Sequence, residues 1–342
     1  MISARNVHLI FRRLQINTIG RHCKFSSAHL QEEQRDPGPV FINDEVQKLL
    51  KTLTRPDLQK VYRKRKDGQP IKDPQYKFMT DEELQDLMKK VQARVDEKLQ
   101  MPPVVKKRKP ITEVISKDPE IQGHDTTKYV FTDITYGVSA VDRLIAVRDP
   151  DGTLRKANWE ERFRMNQTYF PVKGRELVTP RMFQDEYLKD LLKREEYEFV
   201  LDRACLQFDP DDPDFHRVTS AVYEAVNNTS QFKVFRSTRH YGPLVFYLTW
   251  NKNINNLLLE YITNGFIEDA VLLIKLYNKI NPTSKAVDIT HDGDDLKFIQ
   301  NFADLESPIR GKLIAAVQSY KELAEARKKV EKGVKAAHGI DE

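Results

Sequence analysis

No Asp or Glu occurs in the first 31 residues, whereas Arg5, Arg12, Arg13, Arg21 and Lys24 do. Those five cations equal the formal net charge of +5 carried by all 342 residues. Long apolar runs are missing too: residues 244–248 are as long a run as any. A membrane-spanning helix needs about 20 such residues, so the pattern contains no span of that kind. Cysteine is scarce: Cys23 and Cys205 are the two in the chain, too few for a disulfide framework. The phosphate-binding, dinucleotide-binding and metalloprotease signatures, the nucleophile-elbow signature and paired Cys-x-x-Cys are all absent. Past residue 31 the histidines are His124, His216, His240, His291 and His338, and no two share a helical turn. From these absences no metal and no cofactor are expected, and they argue against a small-molecule substrate and an enzyme, while paired carboxylates for acid–base work stay open because such partners can lie far apart in the chain. With 39% hydrophobic and 31% charged residues, a collagen or a wholly disordered polymer is also excluded.

An acid-free, Arg-bearing start with apolar residues between the charges has the pattern of a mitochondrial presequence. Val7, Leu9, Ile10, Phe11, Leu14 and Ile16 can line one side of a short helix. The membrane potential favours inward movement of positive charge by roughly 2.3 kcal/mol per charge per 100 mV. Residues 1–27 are expected to be this leader, with processing near Lys24-Phe-Ser-Ser27. The alternative is a basic arm that is retained and binds nucleic acid.

Residues 28–115 read as an extended and helical segment with basic linkers. A loose stretch holds Pro37 and Pro39. Asn43 caps a helix over 45–53, and Pro56 ends it. Thr80 and Glu83 form a capping box ahead of apolar residues at 84, 87, 88, 91, 95 and 99, one stripe of a helix. Met101-Pro-Pro103 stops it. Residues 116–178 read as a small α+β module. Strands are expected over 128–136, 144–147 and 153–157, with a turn at Asp149-Pro-Asp-Gly152. A second capping box at Asn158 and Glu161 opens a helix to Tyr169. Residues 179–332 read as helical, with helices at 180–194 (opened by Thr179-Pro180), 196–207, 213–228, 240–250, 254–263, 266–280, 294–304 and 307–332. Residues 281–293 are an exposed loop and 333–342 a flexible tail. The fold class is therefore α+β, mainly α: a hairpin-bearing module followed by a solenoid-like stack of antiparallel helices.

Two basic runs are candidate RNA contacts: Lys60 with Arg63, Lys64, Arg65 and Lys66, and Lys106, Lys107, Arg108 and Lys109. Both sit in irregular, proline-flanked segments able to follow a phosphate backbone. Solvated charge runs would look the same. A third candidate is Lys233, Arg236 and Arg239, where Phe235 and Tyr241 could stack on unpaired bases. Arg155 and Lys156, on the strand after the turn, are a fourth. Arg155 could equally be structural, with Asp149 and Glu160 close in sequence. Asp209-Pro-Asp-Asp-Pro-Asp214 is a helix start rather than a cation loop, because carboxylates there complement the dipole. Across 179–232 there are 12 acids against 6 bases, a surface for protein rather than RNA.

Several strings then carry a resemblance. They are Met101-Pro-Pro-Val104, Thr126-Thr-Lys-Tyr-Val-Phe-Thr-Asp-Ile134, Gly152-Thr-Leu-Arg-Lys-Ala157 and Trp159-Glu-Glu-Arg162. Tyr169-Phe-Pro171, Gly174-Arg175, Thr179-Pro180 and Arg236-Ser-Thr-Arg239 with Gly242 continue the series, in order from about 40 to 320. The chain resembles the family of mitochondrial small-ribosomal-subunit protein twenty-two, a mitochondria-specific ribosomal protein family. That resemblance implies a non-enzymatic structural role in the mitochondrial matrix ribosome. It also implies contacts with small-subunit rRNA and with neighbouring small-subunit proteins. The basic run at 60–66 and the Lys-rich end beyond 327 lie outside the family pattern. The rival expectations are a matrix enzyme using Asp133, Glu160, Glu161 and Arg162, and a free helical adaptor.

Overall fold

The structure is a computed structural model and describes residues 35–62, 75–122, 126–289 and 291–337. The leader at 1–27, the basic residues Arg63 to Lys66 and the last five residues lie outside the described residues. The chain divides into two units, 1–36 and 37–342. Among the described residues, every helix and strand belongs to the second unit.

A helix α1 (Pro37–Ile42) stands where a loose stretch was expected. Proline is favourable in the first turn of a helix, where its missing N–H has no partner to lose, and Phe41 buries edge-on against Phe246 at 5.1 Å. In α2 (Asp44–Thr54) the Asn43 side chain accepts the N–H groups of Glu45 and Val46. Val46, Leu50 and Leu53 form its buried stripe, packed against two helices some 200 residues later. After the single turn α3 (Leu58–Val61) comes α4 (Asp81–Lys98), with Thr80 and Glu83 reciprocally capped.

Four strands form one antiparallel sheet: β1 (Val114–Lys117), β2 (Tyr129–Thr132), β3 (Ile145–Arg148) and β4 (Thr153–Lys156), in the order β1-β4-β3-β2. Three were expected. β1 escaped notice because its four residues are all exposed and carry no in–out alternation to read. Gly152 takes φ +82° in the β3–β4 turn, and the Asp118 carbonyl oxygen sits almost where its β-carbon would stand. That close approach leaves room for glycine alone. Helix α5 (Trp159–Tyr169), capped by Asn158 and Glu161, covers the sheet through Met165 on Ile145, Val147 and Ala157.

The rest is helical: α6 (Asp185–Lys193), α7 (Tyr197–Gln207), α8 (Pro213–Thr229), α9 (Tyr241–Trp250), α10 (Asn255–Thr263), α11 (Ile267–Ile280), α12 (Asp295–Glu306) and α13 (Arg310–Ala337). Thr179-Pro180 does not open the first of these. A 3-10 turn, Arg181–Phe183, comes first, and Gln184 is extended at ψ 145°. This break lets Phe183 turn into the core against Phe208, 4.9 Å away. The 281–293 connection is also more than an exposed loop. Ala286 is fully buried, and Glu306 accepts hydrogen bonds from the Ser284 hydroxyl and the Lys285 N–H. Contacts out of sequence order tie the stack together: α2 lies against α9 and α11, and α10 lies against α13.

Candidate nucleic-acid interface

The candidate cations separate by where their charge goes. Lys60, at the end of α3, points inward. Its Nζ donates to the carbonyls of Lys233, Val234 and Arg236, and burial lowers its pKa. Two candidates far apart in sequence, 60 and 233–236, thus meet as donor and acceptor. Arg236 lays its guanidinium over Phe266 at 4.2 Å and Tyr261 at 5.2 Å. Phe235 and Tyr241, read as base-stacking rings, are both fully buried and pack within the protein. Arg239 donates to Asp202 at 2.7 Å, and the same carboxylate oxygen lies 2.9 Å from His240 Nε2.

The 106–109 run behaves in two ways. Lys106, Lys107 and Lys109 are exposed. Arg108 turns in. Its guanidinium donates to the Asp212 carboxylate, lies 3.6 Å from Asp209 and 3.7 Å from Asp211, and covers the Trp159 ring at 4.5 Å. Its backbone N–H donates to the Asp211 carbonyl, and the Lys109 carbonyl accepts the indole N–H of Trp159. The acidic loop is therefore the seat of the basic linker as well as the cap of α8, where Asp212 accepts the N–H of Asp214. Burial raises the Asp212 pKa against the opposing pull of Arg108.

On the sheet, Arg155 bridges Asp149 at 2.7 Å and Glu161 at 2.8 Å. Its acidic partner on α5 is Glu161 rather than Glu160. Lys156 pairs with Glu113 at 2.8 Å. Lys233 is exposed. Among the described residues, no ion pair engages Lys107, Lys109 or Lys233.

The model of the mitochondrial 28S ribosomal protein S22 family matches residues 39–282. The chain is 38% identical to a mouse (Mus musculus) protein named small ribosomal subunit protein mS22, over 83% of this chain and 79% of the relative. It is 36% identical to the cattle (Bos taurus) protein of the same name, over the same shares of each. The chain belongs to the mitochondrial 28S ribosomal protein S22 family.

In this S22-family chain, three polar groups of the rival catalytic reading, Asp133, Glu161 and Arg162, are spent on holding the module together. Asp133 accepts both the N–H and the hydroxyl of Thr135, which lowers its pKa. Glu161 is lowered by the hydrogen bond from Arg155. Both stay ionised and partnered, unlike a carboxyl poised for proton transfer. Arg162 is buried and donates to the carbonyls of Ala140, Val141 and Arg143. Arg143, buried beside it, donates to those of Asp133, Thr135 and Val138 and lies over Phe170 at 3.8 Å. These two arginines strap down the 133–143 connection of the S22-family module. Arg143 was not foreseen, since nothing near it in sequence marks a buried cation; its partners are main-chain oxygens, which every sequence has.

Proposed function

We infer that the chain is a structural component of the small subunit of the mitochondrial ribosome, acting in the matrix by binding rather than catalysis. The family match over 39–282 carries this reading. The internal partnering of Arg108, Arg155, Arg236 and Arg239 supports it, because these groups build a rigid body that presents other cations outward. Lys106, Lys107 and Lys109 on one segment, and Lys233 on another, are the phosphate contacts of that body. Phosphate contacts of this kind give register and affinity with little base specificity. Arg63 to Lys66 continue the chain from Tyr62 and join the contact through their charge alone. Residues 1–27 act as the targeting leader, on the strength of their five cations and absent acids. Co-sedimentation of the chain with small-subunit rRNA tests the reading.

A further inference from the structure

Helix α4 is 18 residues long, and Val95 is its one fully buried side chain. Along its C-terminal half the stripe is shielded: Val91 is half-buried and Val95 buried, the Tyr62 hydroxyl donates to the Val91 carbonyl, and Lys98 lies over the Tyr62 ring at 4.6 Å. Its N-terminal half is bare. Leu84, Leu87 and Met88 continue the Val91–Val95 stripe at helical spacing, yet stay 43%, 41% and 61% exposed. Phe78 and Met79, just before the cap, are exposed as well. Isolated helices are marginal in water and draw most of their stability from a packed apolar face, so a half-covered stripe marks an interaction site.

The charges around the stripe select the occupant. Asp81, Glu82, Glu83 and Asp86 occupy the bare half, and its first basic residue is Lys89. An RNA backbone would meet four carboxylates there. A second copy would fare no better. The stripe's other half is already shielded, so a two-fold contact would set bare half on bare half and acids against acids. We propose that the N-terminal half of α4 is a docking surface for another protein of the small subunit, through an apolar segment flanked by lysine or arginine. This deepens the ribosomal reading above and rests on it.

The test uses the full chain assembled into purified mitochondrial small subunits, with Met88→benzoylphenylalanine as a photo-crosslinker. The expected product is a crosslink to a peptide of another small-subunit protein carrying basic residues beside the attachment point. Peroxide oxidation of native Met88 is expected to slow by about tenfold on assembly, because sulfoxidation follows exposure. Glu82→Lys with Asp86→Lys is expected to lower incorporation by about tenfold, as like charges face each other across the interface. A crosslink to RNA or to a second copy overturns the proposal. So does Met88 reacting equally fast in the free and assembled chain, or incorporation unchanged by the charge reversal. A chain that never co-sediments with the subunit overturns the ribosomal reading itself, which separates the two failures.

Discussion

The sulfur of Met101 lies almost where a β-carbon on Gly242 would stand. The first turn of α9 is therefore a seat for the linker that follows α4, and the two residues hold that linker in register against the helical core. Gly242→Ala is expected to push Met101 out and to destabilise the protein by about 1–3 kcal/mol. In a Met101→Ala background the same change should be neutral or stabilising by up to about 1 kcal/mol, since alanine is the better helix former. Urea unfolding of the four proteins measures the coupling. Additive effects would contradict the contact.

That contact joins two of the strings that mark the family, and nothing local announces it. What was legible in the sequence is what is decided within four residues. Both capping boxes, Thr80 with Glu83 and Asn158 with Glu161, formed as read, because their partners lie three apart on the same turn. Asn43, Gly152 and the Asp212-Pro213 start did so for the same reason. Thr179-Pro180 carried a similar local signal, and tertiary packing of Phe183 overrode it. The candidate site was less legible. The runs at 60, 106–109 and 233–239 were visible as charge, but which cations face water depends on distant partners. Arg108 finds Asp212 across 104 positions, and Lys60 finds the Arg236 carbonyl across 176. Sequence spacing carries no trace of such pairs.

Arg108 is expected to clamp the linker to the loop ahead of α8. Arg108→Ala removes the ion pairs with the 209–212 carboxylates and uncovers the Trp159 ring. The expected outcome is a change in Trp159 fluorescence and a loss of about 1–2 kcal/mol. Trp250→Phe isolates the signal, since the chain has two tryptophans. An unchanged Trp159 spectrum would show that the linker is not seated there.

The pairing of Arg155 with Glu161 makes the α+β module acid-sensitive. The Glu161 pKa is lowered in the folded protein from its ordinary 4.5. A lowered carboxyl pKa stabilises the fold above the unfolded value, and that contribution is lost as pH falls through the folded value. Stability of the module should therefore drop below about pH 4.5, more steeply in the wild type than in Arg155→Met. Hydrogen exchange of the β3 and β4 amides, followed between neutral and acid pH, separates the two. Parallel pH profiles would contradict the assignment.

The exposed lysines are expected to act as phosphate contacts. Replacing Lys106, Lys107, Lys109 and Lys233 by glutamine should leave folding intact and weaken binding to rRNA. The log–log salt slope should shrink by about one per lysine removed. Arg155→Met and Arg239→Met, whose charges are spent internally, should leave the slope unchanged. A slope that responds to the arginines and not to the lysines would reverse this division of roles.

The central claim is that the chain is an integral building block of the mitochondrial small subunit. Sedimentation of a mitochondrial matrix lysate through a density gradient tests it most directly. The chain is followed against small-subunit rRNA at moderate and then at high salt. The expected result is co-sedimentation with the small subunit at about one copy per rRNA, surviving high salt because buried protein contacts are screened far less than exposed phosphate contacts. Migration as free protein at moderate salt, or at a small fraction of the rRNA, would contradict the claim.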